Sequence, residues 1–145
     1  VGLRQTDPFL LCFIAVVGAA LIYQQLFPHQ IDSAAIASRN PWFDLNIHRA
    51  TEPVMVRFGG DWHAKSRCFD FQLCAVEPMF KGRMKILRVD VKEQPDLANA
   101  FRVRSIPHSF IVYRGMIITS KRGQLAQEVL ENWMEQGLRT AYQFK

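Results

Sequence analysis

The sequence predicts an α/β protein, a central mixed β-sheet flanked by helices, preceded by one N-terminal transmembrane helix. Three observations carry this. No charged side chain occurs from Pro8 to Pro28. Beyond Pro41, short apolar runs with strand character alternate with segments of helical spacing. Their order closes as a βαβ unit, then a hairpin, then a covering helix, which places helices on both faces of one sheet.

The anchor comes first. Phe9-Leu10-Leu11-Cys12-Phe13-Ile14-Ala15-Val16-Val17-Gly18-Ala19-Ala20-Leu21-Ile22-Tyr23 is continuously apolar or aromatic, and Gln24, Gln25, Leu26 and Phe27 follow. As a helix, Phe9 to Phe27 spans roughly one hydrocarbon core of about 30 Å, with Tyr23 and the glutamines at the far interface. A buried core helix would show a polar stripe, and none is visible. A signal peptide cleaved at Ala35-Ile36-Ala37 is the other alternative. Arg4 is the only basic residue before the span, and Asp32 precedes Arg39 after it. The positive-inside count thus leans to a cytoplasmic or matrix N-terminus. The organisation is an anchor over 1–30, a Ser/Ala-rich connector of about one helical turn over 31–41, a folded domain over 42–140 and a tail over 141–145.

Within the domain, Trp42 to Arg49 reads as a short helix and Pro53 to Phe58 as a buried strand ending at Gly59-Gly60. From Ala64 to Phe80 the spacing of Phe69, Leu73, Val76 and Phe80 makes one helical face. Lys85 to Val91 is a second strand, and Pro95 opens a short helix at a favoured first position. Ser109 to Tyr113, a turn at Arg114-Gly115, and Met116 to Lys121 form the hairpin. Gly123 breaks the chain before a closing helix from Ala126 to Thr140.

Composition narrows the function. In a chain of 145 residues, 49% are hydrophobic, enough for one core without disulfide staples. The net charge of +5 lies after Phe27, since Arg4 and Asp7 cancel. No basic run is interleaved with aromatic residues, which argues against nucleic acid. Three cysteines close no disulfide framework. On one helix Cys68 and Cys74 stand about 9 Å apart, beyond a disulfide's reach of about 7 Å, so all three thiols are expected free and mostly buried. His29, His48, His63 and His108 lack ligand spacing, so no metal is expected, although His63 and His108 could approach each other.

Laid along the chain, these segments resemble the thioredoxin family. Val54-Met55-Val56-Arg57-Phe58-Gly59-Gly60-Asp61-Trp62 is similar to the strand and tryptophan that lead into that family's active site. Val89-Asp90-Val91 with Gln94-Pro95 is similar to its third strand and the loop after it. Phe101-Arg102-Val103-Arg104-Ser105-Ile106-Pro107 matches the segment ending in its cis-proline. Arg114-Gly115 and Lys121-Arg122-Gly123 match its hairpin turn and last glycine. The resemblance covers about two thirds of the chain and implies a thioredoxin-like fold.

It also shows what is missing. After Trp62 the family places Cys-x-x-Cys at a helix start, where amide hydrogens lower the first thiol's pKa. Here the residues are His63-Ala64-Lys65-Ser66, and the family's proton-shuttling buried acid corresponds to Arg57. The redox activity is therefore not carried over. A His63/Ser66 nucleophile would need an oriented base and an oxyanion hole. No third member is visible, so Ser66 reads as an ordinary first-turn residue and His63 as partly exposed beside Trp62. The resemblance further implies that Ile106-Pro107 is cis, and that Trp62, His63 and Ile106 border a groove that holds a polypeptide without reacting.

The expected protein is therefore a non-enzyme without cofactor, metal, nucleic-acid ligand or small-molecule substrate. It is a single-span accessory subunit of a larger membrane complex, such as a respiratory complex or ATP synthase. By analogy of type the mitochondrial inner membrane comes first, ahead of the endoplasmic reticulum or a bacterial inner membrane. The alternatives are a membrane-tethered, peptide-binding relative of the protein disulfide isomerases and a single-thiol redox protein using Cys68.

Overall fold

A computed structural model describes residues 7–26 and 29–143, and the side chains of 20–26 lie outside what it describes. Helix α1 (Pro8–Leu26) is followed by α2 (Ser33–Arg39) and by α3 (Pro41–Phe43), which continues as a π turn over Asp44–His48. Next come β1 (Val54–Gly59), α4 (Ala64–Val76) with a 3-10 turn over Glu77–Phe80, β2 (Lys85–Asp90) and α5 (Pro95–Ala100). The chain closes with β3 (His108–Tyr113), β4 (Met116–Arg122) and α6 (Gln127–Gln143).

The four strands lie in the order β2-β1-β3-β4. β1 runs parallel to β2 and antiparallel to β3, and β3 antiparallel to β4. The sheet is thus mixed, as predicted. Its central strands, β1 and β3, are buried at every position, so their apolar residues fall in runs rather than in strict alternation. The β3–β4 turn has positive φ at both Arg114 (51°) and Gly115 (77°), the twist that a two-residue hairpin needs.

One core lies between the sheet and α2, α3 and α5, where Phe58, Phe101 and Phe110 form an aromatic cluster with centroids 5.0 to 5.6 Å apart. The other lies beneath α4 and α6 and is filled by Met55, Phe69, Leu73, Phe80, Trp133 and Met134. The closing helix runs to Gln143, three residues past the expected Thr140.

The connector differs from expectation. It forms two turns of helix, because the Asp32 side chain accepts a hydrogen bond from the Ala35 amide and Ile36 is buried in the first core. Cleavage at Ala35-Ile36-Ala37 would therefore cut through a core element. The residue just before the connector is also fastened to the sheet. The Gln30 side chain accepts from the Ile117 N–H at 2.9 Å and donates to the Ile117 carbonyl at 3.0 Å, imitating one residue of a neighbouring strand at the β4 edge.

Helix α1 contains 19 residues, about 28 Å of helix. Its described side chains as far as Val17 are exposed, and none joins either core, which excludes the buried-core alternative for them. Among the described residues, no helix is long and apolar enough to cross a membrane. Along α1 the side chains are described only to Ala19, and the rest of the expected span, through Phe27, lies outside the described residues.

The Gln30 contact yields a direct test. Gln30→Glu sets a carboxylate oxygen against the Ile117 carbonyl and loses the donor, and should lower the unfolding free energy in urea by about 1–2 kcal/mol. An unchanged midpoint would show that the connector is not held there.

Candidate functional site

The loop between β1 and α4 is shaped by two glycines. A Cβ at Gly60 would lie 2.2 Å from Trp62 Nε1, so the indole packs on bare backbone. Trp62 is 46% exposed yet held in place. Its Nε1 donates to Asp90 Oδ1 at 3.4 Å, and Lys92 Nζ sits 3.9 Å from the ring centroid, within cation–π range. Asp90 also accepts from the Lys92 amide at 2.7 Å. That backbone bond, followed by the one from the Trp62 indole, holds the Asp90 carboxyl below the usual carboxylate range. The tryptophan is therefore tied to the segment after β2 rather than standing free.

His63 is the N-cap of α4. Its Nδ1 accepts from the Ser66 amide at 3.3 Å and lies 3.1 Å from Ser66 Oγ. The pair that sequence reasoning considered is thus in contact, but Ser66 is fully buried and Nδ1 is occupied as a cap. A hydroxyl closed off from substrate is no nucleophile. Nor is Ser66 an ordinary first-turn residue, since it fills the space that a Cβ on Gly59 would take, 2.6 Å from Oγ. His63 is half-buried and makes an edge contact with the Trp62 ring. Ala64 and Lys65 are exposed in the first turn of α4.

Arg57 lies below this loop with 2% exposure. Its guanidinium makes a two-pronged ion pair with Asp70 of α4, Nε to Oδ1 at 2.8 Å and Nη2 to Oδ2. Arg88 reinforces the carboxylate at 3.7 Å and bonds Glu77 at 2.8 Å. The sequence marks Arg57 as a departure, but the partner that makes a buried cation tolerable is visible only in the fold.

Ile106-Pro107 is cis. Because Phe58 pairs with His108, the proline loop lies at the same end of the sheet as Trp62 and His63. Pro107 is buried and Ile106 half-buried. The next side chain, His108, is buried against Phe110 at 4.2 Å between centroids, and neither ring nitrogen has a hydrogen-bond partner among the described residues. Burial, followed by the charge of Arg122, lowers its pKa from 6.5 to about 4. Among the described residues no cluster of histidine, cysteine or carboxylate side chains could hold a metal.

The thiols correct an expectation: Cys12, Cys68 and Cys74 are free and all exposed, not buried. On α4 the inward face is taken by Ser66, Phe69, Leu73 and Val76, which turns Cys68 and Cys74 outward. Cys74 Sγ accepts from Arg88 Nη2 at 3.6 Å and borders a cleft of about 650 Å³ near Glu52, Lys81 and Ile86. That cleft lies toward the start of β2, away from the Trp62 end of the sheet.

Two tests follow from the buried charges. Asp70→Ala strands Arg57 and should lower the unfolding free energy by about 3–5 kcal/mol, whereas Arg57→Met/Asp70→Leu should cost far less. Equal losses in urea denaturation would contradict the pairing. For His108 the folded pKa is depressed, so the unfolded chain takes up the proton first. Stability should fall as pH drops from 6.5 toward about 4, by at most about 1.4 kcal/mol per pH unit. His108→Phe should flatten that window, and a slope that persists in the variant would assign it to other groups.

Comparison with known proteins agrees with this geometry. The family model described as Thioredoxin matches residues 34–136. The chain is 31% identical to thioredoxin 1 of Chlorobaculum tepidum over 59% of its own length and 89% of that protein. It is 26% identical to thioredoxin of Haemophilus influenzae over 65% of this chain and 88% of that one. With thioredoxin 1 of Nostoc the identity is 24%, over 73% of this chain and 99% of that one. From the cis-proline loop, the mixed sheet and a match across most of its length, the chain belongs to the thioredoxin family.

Proposed function

We propose that this is a redox-inactive thioredoxin-like domain, tethered by α1 to a membrane as a single-span accessory subunit of a larger protein complex. The observation that carries the reading is the loop His63-Ala64-Lys65-Ser66. No sulfur stands at either end, the buried Ser66 and the capping His63 serve the helix start, and Arg57 is consumed by Asp70. What remains at that end of the sheet is a contact surface, Trp62, His63 and Ile106 beside Pro107, suited to an extended polypeptide of the complex. Support for the tether comes from the uncharged run between Pro8 and Pro28 and from the outward exposure of Phe9, Phe13 and Val16. A respiratory complex or ATP synthase in the mitochondrial inner membrane is the setting proposed first, by type alone.

The relatives' name favours a second reading in which a thiol is used. Cys68, exposed one turn into α4 and bordering a hollow with Gln72 and Leu125, is the candidate for it.

Capture of the chain from carbonate-washed membranes tests the first reading. The wild type should stay in the membrane pellet and bring down a constant set of partners. Trp62→Ala should lose those partners while its melting temperature falls by no more than a few degrees, about 1 kcal/mol for a domain of this size. Recovery in the carbonate supernatant, or unchanged capture by the variant, would sink it. Insulin reduction abolished by Cys68→Ser would establish the second.

A further inference from the structure

Each strand of the sheet has an exposed cation beyond its end on the Trp62 side. Lys92 follows β2 and sits over the Trp62 ring, and Lys65 stands in the first turn of α4, after β1. Arg104 precedes β3, two residues before Ile106. Arg122 ends β4 in register with His108, and the next residue, Gly123, donates its N–H to the Pro107 carbonyl at 2.7 Å. In the order β2-β1-β3-β4 these cations form a row across the surface made by Trp62, His63 and Ile106.

Their charges are uncompensated. Elsewhere exposed arginines close on carboxylates, Arg49 on Asp44, Arg83 on Glu135 and Arg88 on Glu77. Lys65, Lys92, Arg104 and Arg122 take part in no ion pair among the described residues. The carboxylates nearby do not offset them. Asp90 is bonded to the Lys92 amide and the Trp62 indole, and Asp61 and Glu93 are outnumbered because Arg67, Arg102 and Lys121 lie in the same segments. A surface with one sign on all sides attracts the opposite sign and turns away its own.

The arrangement favours a polypeptide as the anion. Neighbouring strands are about 4.8 Å apart, so four strand ends span about 14 Å, the length of about four extended residues. A single-stranded nucleic acid would also be linear, but its bases need an open aromatic face. Trp62 is the exposed aromatic residue of these loops, and its ring is already engaged by Lys92 and by Gly60.

We propose that the extended segment held at this end is acidic, a stretch of partner polypeptide whose Asp or Glu side chains, at alternate positions, meet Lys65, Lys92, Arg104 and Arg122. It rests on that end being a polypeptide contact surface and adds the chemistry of the partner.

Fluorescence anisotropy of the full chain in neutral detergent tests this with two labelled peptides, one alternating Asp and Val, the other Asn and Val. The Asp-Val peptide should bind at least about tenfold more tightly, a difference of about 1.4 kcal/mol, and the gap should close as salt is raised. Arg104→Glu and Arg122→Glu should each weaken the Asp-Val peptide at least about threefold, leaving the Asn-Val peptide and far-UV circular dichroism unchanged. Lys65→Glu should do the same from the helix side, away from His108. Trp62→Ala should weaken both peptides. Equal binding of the two peptides, both lost in Trp62→Ala, would overturn the acidic preference and leave the contact surface standing. Binding of neither peptide, or binding indifferent to Trp62→Ala, would remove the contact surface and the proposal with it. Charge variants that release phosphatidylserine vesicles or an oligothymidine strand, with the two peptides bound alike, would assign the cations to lipid or nucleic acid and overturn the proposal too.

Discussion

A cation in the middle of a fully buried strand dictates much of this structure. Arg57 occupies the centre of β1 with core on both faces of the sheet, and a lone guanidinium there would be prohibitively desolvated. Asp70 removes the difficulty, but only if α4 crosses the sheet at the height that brings its carboxylate to Nε. That placement drives Ser66 under Gly59 and leaves His63 at the helix start, where its ring caps the first turn. It also draws Arg88 and Glu77 into the same network and so joins β2 to the end of the helix. A buried pair of this kind is a weak source of net stability. Its effect is to define one position for α4 among the several that a purely apolar face would accept.

The strands and helices of the domain were legible because each follows one period. Pro53 to Phe58, interrupted only by Arg57, and Phe110 to Tyr113 are apolar runs of strand length, and Phe69, Leu73, Val76 and Phe80 repeat at helical spacing. The cis-proline loop was legible only by resemblance. What failed depended on capping, burial and helix phase rather than on residue type. Ser33 to Arg39 looks like a linker because its composition is small and polar, and only the cap at Asp32 and the burial of Ile36 make it a core element. The thiols were misjudged because cysteine is usually buried, whereas phase on α4, set by its larger neighbours, turns Cys68 and Cys74 outward. At the site, Asp70, Asp90 and Lys92 were not foreseen. Their roles arise from side chains meeting across elements, and no local pattern announces them.

The family's fold is present here with its own set of contacts at the helix start. The fold supplies a helix start beside a proline loop, an arrangement that other members fill with two thiols. In this chain the same positions carry a cap, a buried hydroxyl and an aromatic ring pinned by Lys92 and Asp90. These substitutions support one another, as Gly59 and Gly60 leave space for Ser66 and Trp62 respectively. The loop therefore has an organised structure of its own, not a damaged version of another.

The amide of Gln30 has an effect beyond fastening a connector. The outer strand of any sheet offers unpaired backbone groups to whatever extended chain passes, and unguarded edges are where sheets grow into fibres. At Ile117 both groups are already answered by a side chain that imitates main chain but carries no strand behind it. A foreign strand reading along β4 meets a gap in the ladder at that rung and cannot stay in register. The β4 border is therefore closed at that rung by a side chain that ends the ladder instead of extending it.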